Sequence, residues 1–156
     1  MMRQLFLWLG HTPVGLYMRD STHGFAAVEA VHLLGLALLG GVVLLLSLGA
    51  LRVALAAQTP AATARGLYPV FLAALTVMLV TGVLLVASKP LRYFLSDPFR
   101  WKIAFLAAGV GLYLYLSRRL TRADPAANLR TDRVLAVFLL ILWLGVGLAG
   151  RFIGLL

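Results

Sequence analysis

The sequence predicts an all-α membrane protein: a four-helix up-down bundle preceded by a short segment lying in the membrane interface. Three observations predict it. Of 156 residues, 62% are hydrophobic and 12% charged, against about 45–50% and about 25% in a soluble domain; the mean hydropathy is +0.98. Four apolar runs each approach the roughly 20 residues needed to cross about 30 Å of hydrocarbon. The links between them are short enough to favour antiparallel neighbours. A chain this small has too much surface to hide so much apolar area in water. A soluble enzyme, a disordered tail and a nucleic-acid-binding domain are excluded.

The net charge is +9. Because the charges lie between apolar runs, the partner they imply is the anionic headgroup layer of a lipid bilayer, with no nucleic acid. There is no cysteine, which excludes disulfides, iron–sulfur clusters and thiolate metal sites.

The elements follow in order within a single domain, 1–156. Residues 1–20 are too short and too polar to span, and Trp8, Tyr17, Arg3 and Arg19 suit an interfacial stretch. The first span covers residues 25–51, with Asp20, Ser21 and Thr22 before it as N-cap candidates. The second covers 69–88, with Pro69 in its first turn and Lys89-Pro90 ending it. Asp97-Pro98 opens the third, 98–117, as cap and first helical residue. Thr131 caps the fourth, 132–152. The 52–68 link is Ala-rich and broken at Thr59-Pro60, the 89–96 link is short, and the 118–130 link is polar.

Basic residues divide evenly between the two sides, seven each. Lys102 and Arg151 fall inside helices, and without them the count is five against seven. The positive-inside rule then puts the 52–68 and 118–130 links in the cytoplasm and both termini outside.

Chemistry is expected from ionisable groups inside spans, where each costs about 2.5–3.5 kcal/mol at mid-membrane. Glu29 and His32 share one face of span one at i, i+3 spacing. The uncharged run 103–116 is too short to cross alone, so Lys102 enters the membrane zone, either snorkelling out or pointing into the bundle. Arg151, near the end of span four, falls on the same side, as does Thr81 of span two. Glu29, His32, Lys102 and Arg151 thus come from three helices to one leaflet, with His11, His23 and Arg19 preceding span one there. Imidazole can ligate haem iron or a metal. The cations can pair with carboxylates such as porphyrin propionates, and Glu29 can orient the imidazole or pair with Arg151. Gly35, Gly40 and Gly41 give room for a flat macrocycle or a neighbouring helix. No histidine follows His32, so a haem clamped by histidines from two spans of one chain is excluded.

Two stretches resemble a known group. Glu29-Ala30-Val31-His32-Leu33-Leu34-Gly35 and Asp97-Pro98-Phe99-Arg100-Trp101-Lys102-Ile103 look like helix openings in small bacterial four-helix inner-membrane proteins. These include an uncharacterised family of this length and, more distantly, the HemJ-type protoporphyrinogen oxidases and the CopD-type copper proteins. The resemblance implies residence in the bacterial inner membrane and haem b as cofactor, with the HemJ-type functional His and Lys falling on His32 and Lys102. Two departures bear on a second haem ligand and on oxidase activity. Leu46-Ser47-Leu48-Gly49 stands where relatives often carry an acidic residue and Arg, and Leu116-Ser117 where they often carry a His.

The function expected is haem-b binding in electron transfer or porphyrin redox chemistry, with His32 as axial ligand. Two alternatives stay open. One is a cofactor-free accessory subunit, packed as a homo-oligomer or in a larger membrane complex. The other is copper or metal permeation, against which the absence of Cys and the scarcity of Met near His32 argue.

Overall fold

The computed structural model describes residues 2–53, 58–122 and 129–155. Among them every regular element is an α-helix. The order is α1 (Met2–His11), α2 (Pro13–Asp20), α3 (Thr22–Leu51), α4 (Pro60–Ser88), α5 (Pro90–Leu95), α6 (Asp97–Arg122) and α7 (Leu129–Leu155). α3, α4, α6 and α7 are long and apolar enough to cross a membrane. Large side chains on their outer faces stand exposed, among them Leu34, Leu144 and Phe138. This is a multi-pass membrane protein with lipid as its surroundings.

Helix starts are set by short polar side chains that satisfy otherwise orphaned amides. Thr12, Ser21, Thr59 and Ser96 each accept from the backbone N–H three residues on, at 3.1, 3.0, 3.2 and 3.3 Å. The structure differs from the sequence reading in several places. α4 begins at Pro60, capped by Thr59, so Thr59-Pro60 is a start signal and Pro69 lies inside the helix. Ser96 rather than Asp97 caps α6, which frees Asp97 to pair with Arg100 at 3.1 Å. The 89–96 link contains a helix, and the 1–20 segment is a pair of helices. Thr131 lies in the first turn of α7 rather than before it. The middle of the 118–130 link, and residues 54–57 of the first link, are outside the described residues.

α3 packs on α4 and α7, and α6 on α4 and α7, so the four spans form a ring in chain order. This is the up-down bundle expected from short links. The core runs through Leu39, Leu46, Phe71, Tyr113, Leu116 and Leu139. In lipid it is held by close packing rather than by expulsion of water; Phe71 and Tyr113 stack with centroids 3.7 Å apart.

α1, α2 and α5 lie across the end of the bundle where α4 stops. Arg19 of α2 ties α1 to the end of α4, donating to the carbonyls of Gly10 at 3.2 Å and Ser88 at 3.4 Å. Phe6 of α1 packs edge-on against Phe94 and Phe99, and Tyr93 against Phe99. This belt closes one end of the bundle around a cleft.

Candidate functional site

Ten residues into α3, about 15 Å along its axis, His32 turns inward and is only 8% exposed. A buried imidazole needs partners for its nitrogens. Thr81 of α4 supplies one, with its Oγ1 2.8 Å from His32 Nδ1. A hydroxyl has one proton, and that of Thr81 goes to the Val77 carbonyl at 2.6 Å. The contact with His32 is therefore one in which Nδ1–H donates and Thr81 accepts. In the neutral ring this leaves Nε2 with its lone pair, clear of the Thr81 contact. The ring lies over Gly82, where an added Cβ would meet Cε1 at 3.4 Å.

His32 borders a cleft of about 440 Å³, neither sealed nor flat, built from α3 to α7. That size suits a small-molecule ligand. Much of its lining is apolar, with Met78, Leu79, Val83, Ile103, Leu106 and Ile153 in the wall. Its charged lining comprises Glu29, Lys89, Arg92 and Lys102. Lys102 points into the bundle along α7, its Nζ 3.5 Å from the place a Cβ would take on Gly150. Lys102 has no carboxylate partner among the described residues, nor do Lys89 and Arg92. Tyr93 completes the mouth. Burial raises its hydroxyl above the ordinary tyrosine range, with Arg92 opposing and Glu29 adding to the rise, so it stays a neutral donor and acceptor.

Of the residues singled out in the sequence, His32, Glu29 and Lys102 meet at this cleft. Glu29 makes no hydrogen bond to His32; Thr81 holds the imidazole instead. Arg151 is exposed and does not line the cleft. Depth along α7 was right, but the inward face is Gly150, Ile153 and Gly154, and residue 151 is rotated about 100° from Gly150. Gly35 lies one turn past His32 and seats α4, its Cβ position 3.3 Å from Val77. Gly40 likewise receives Trp143 of α7, so both serve helix contact rather than a ligand. His11 bonds the Leu7 carbonyl of its own helix, and His23 is exposed.

Lys89, Arg92 and Tyr93 were not singled out as site residues. Lys89-Pro90 marks a helix end, and only the short helix α5 turns this stretch over the cleft. A cluster of two aromatic and two basic residues within 89–94 was the available signal. Among the described residues no group of three or more His, Cys, Asp or Glu converges as a metal site.

The chain matches DUF6644, a family of unknown function, over residues 5–156, and belongs to that family. No curated protein matches it, and no solved structure does.

Proposed function

We propose that this member of the DUF6644 family binds haem b in the cleft, in the service of electron transfer or porphyrin redox chemistry. The observation that carries the reading is the His32–Thr81 pair. Thr81 holds Nδ1 and leaves the Nε2 lone pair for a metal, as the hydrogen-bond partners of metal-ligating histidines do. The donor set fits the group: one imidazole for iron, an apolar wall for the macrocycle, and Lys102 and Arg92 for carboxylates. A haem supplies one-electron redox chemistry when bound. His32 would hold its iron, Thr81 would orient His32, and the leucine and isoleucine wall would keep water from the ring. Arg151 and Gly35 have no part in this reading. The resemblance of residues 29–35 and 97–103 to HemJ-type proteins supports the same ligand.

The five-against-seven division of basic residues supports placing the cleft and both termini on the outer side of the bacterial inner membrane. For copper the case is weaker, since no three-ligand cluster is present among the described residues.

The test is an absorption spectrum of the protein purified in neutral detergent and supplemented with haem. A Soret band is expected, lost or shifted in His32→Ala. No band, or the same band in His32→Ala, overturns the reading; a colourless protein that co-purifies with a larger complex would establish the accessory-subunit alternative.

A further inference from the structure

Four charged side chains line the cleft, three of them cations and one a carboxylate, Glu29. None of the three cations has a carboxylate partner among the described residues. Two cations outside the lining do have one: Arg100 has Asp97, and Arg119 has Asp132 at 2.6 Å. Lys102 does not reach outward to headgroups but lies against Gly150 inside the bundle. An ammonium held in an apolar wall without a counter-ion is a site waiting for an anion. The wall limits what that anion is attached to. Leu33, Leu79, Val83 and Ile103 all line the cleft, and each is about half exposed. The cleft is thus open and bordered by accessible apolar side chains of the spanning helices.

We propose that the cleft holds an anionic amphiphile drawn from the membrane, its carboxylate or phosphate among Lys89, Arg92 and Lys102 and its apolar body along the Leu79–Val83 face of α4. The inference shares the cleft with the preceding reading but not the iron: the acid end is recognised by cations, and His32 is not needed for it. Carboxylates and phosphates present the same chemistry to an ammonium and a guanidinium. Free fatty acids and lipid headgroups are the two membrane sources of that chemistry.

The experiment uses the full chain in a neutral maltoside detergent, with cis-parinaric acid as fluorescent probe and its methyl ester as the uncharged counterpart. The acid is expected to bind roughly tenfold to a hundredfold more tightly than the ester, the range for a hydrogen bond to a charged group. Lys102→Met and Arg92→Gln each remove most of that preference. Lys102→Arg restores it, and Arg118→Gln, at the opposite end of the bundle, leaves it unchanged. Displacement at lower concentration by lysophosphatidic acid than by lauric acid assigns the site to lipid phosphate; the reverse order assigns it to free carboxylate. Equal binding of acid and ester overturns the proposal without recourse to any variant. So does unchanged affinity in both Lys102→Met and Arg92→Gln, or loss of acid binding in His32→Ala. If acid binding survives in His32→Ala while no Soret band forms in the parent protein, the haem reading fails and this one stands.

Discussion

At the α4–α5 end of the bundle, the hydroxyl of Thr81 accepts from His32 and donates to Val77. Toward the other end, the hydroxyls of Ser47, Thr63 and Tyr113 are equally buried and have no hydrogen-bond partner among the described residues. Ion pairs occur at both ends, Arg100 with Asp97 just after α5 and Arg119 with Asp132 at the far end. Packing divides as the hydroxyls do, with a 440 Å³ cleft beside His32 and a Phe71–Tyr113 stack in the far half. Around the Phe71–Tyr113 stack the core is close-packed and tolerates stray hydroxyls, whereas beside the cleft a hydrogen-bond chain from Val77 through Thr81 orients the imidazole.

The largest expected effect tests the packing side of this contrast. Phe71 is 1% exposed and stacked on Tyr113, so Phe71→Ala should cost about 3–5 kcal/mol through the cavity it leaves. Leu79 borders the cleft and lipid and is 51% exposed. Its truncation should cost under about 1 kcal/mol, because lipid solvates the lost surface. Thermal midpoints in detergent check both. Similar losses at the two positions would mean that the cleft half is as tightly packed as the far half.

Next in size is Thr81→Val, which keeps the shape and removes the acceptor for His32 Nδ1–H. Stability should fall by about 1–3 kcal/mol, the cost of a buried donor left unpaired. Haem affinity should fall roughly tenfold to a hundredfold, as it does when a ligand's outer partner is lost. Thr81→Ser should restore both. An unchanged Soret titration in Thr81→Val would separate Thr81 from any ligand role, leaving it a packing contact.

Much of the architecture was legible because hydrophobic runs of spanning length are hard to misread, and because a His or Lys inside such a run stands out. What stayed hidden depends on angle rather than depth. Arg151 sits at the right level but on the wrong side of α7, which length arithmetic cannot resolve. Thr81 was visible as a polar residue in the same leaflet, yet its bond to His32 spans 49 positions and exists only through tertiary packing. Lys89 and Arg92 looked like ordinary loop charges, since a six-residue helix leaves too little pattern to show which way they turn. Thr59-Pro60 read as a break because Ala-rich sequence carries little hydropathy contrast, although a capping threonine before proline is a start signal.

The smallest expected effect is the sharpest test of how the two halves treat polar groups. Tyr113→Phe deletes one oxygen from a fully buried ring and disturbs nothing else in the stack with Phe71. A buried hydroxyl with no partner destabilises the fold, and replacing it by a hydrogen removes that cost. The variant should be neutral or stabilised by up to about 1 kcal/mol, where the chemically similar deletion at Thr81 is destabilising. The same sign is expected for Ser47→Ala. A loss above about 1 kcal/mol in Tyr113→Phe would mean that its hydroxyl is bonded, to an internal water if not to protein. The far half would then contain a polar network of its own, and the contrast with the cleft half would be one of degree.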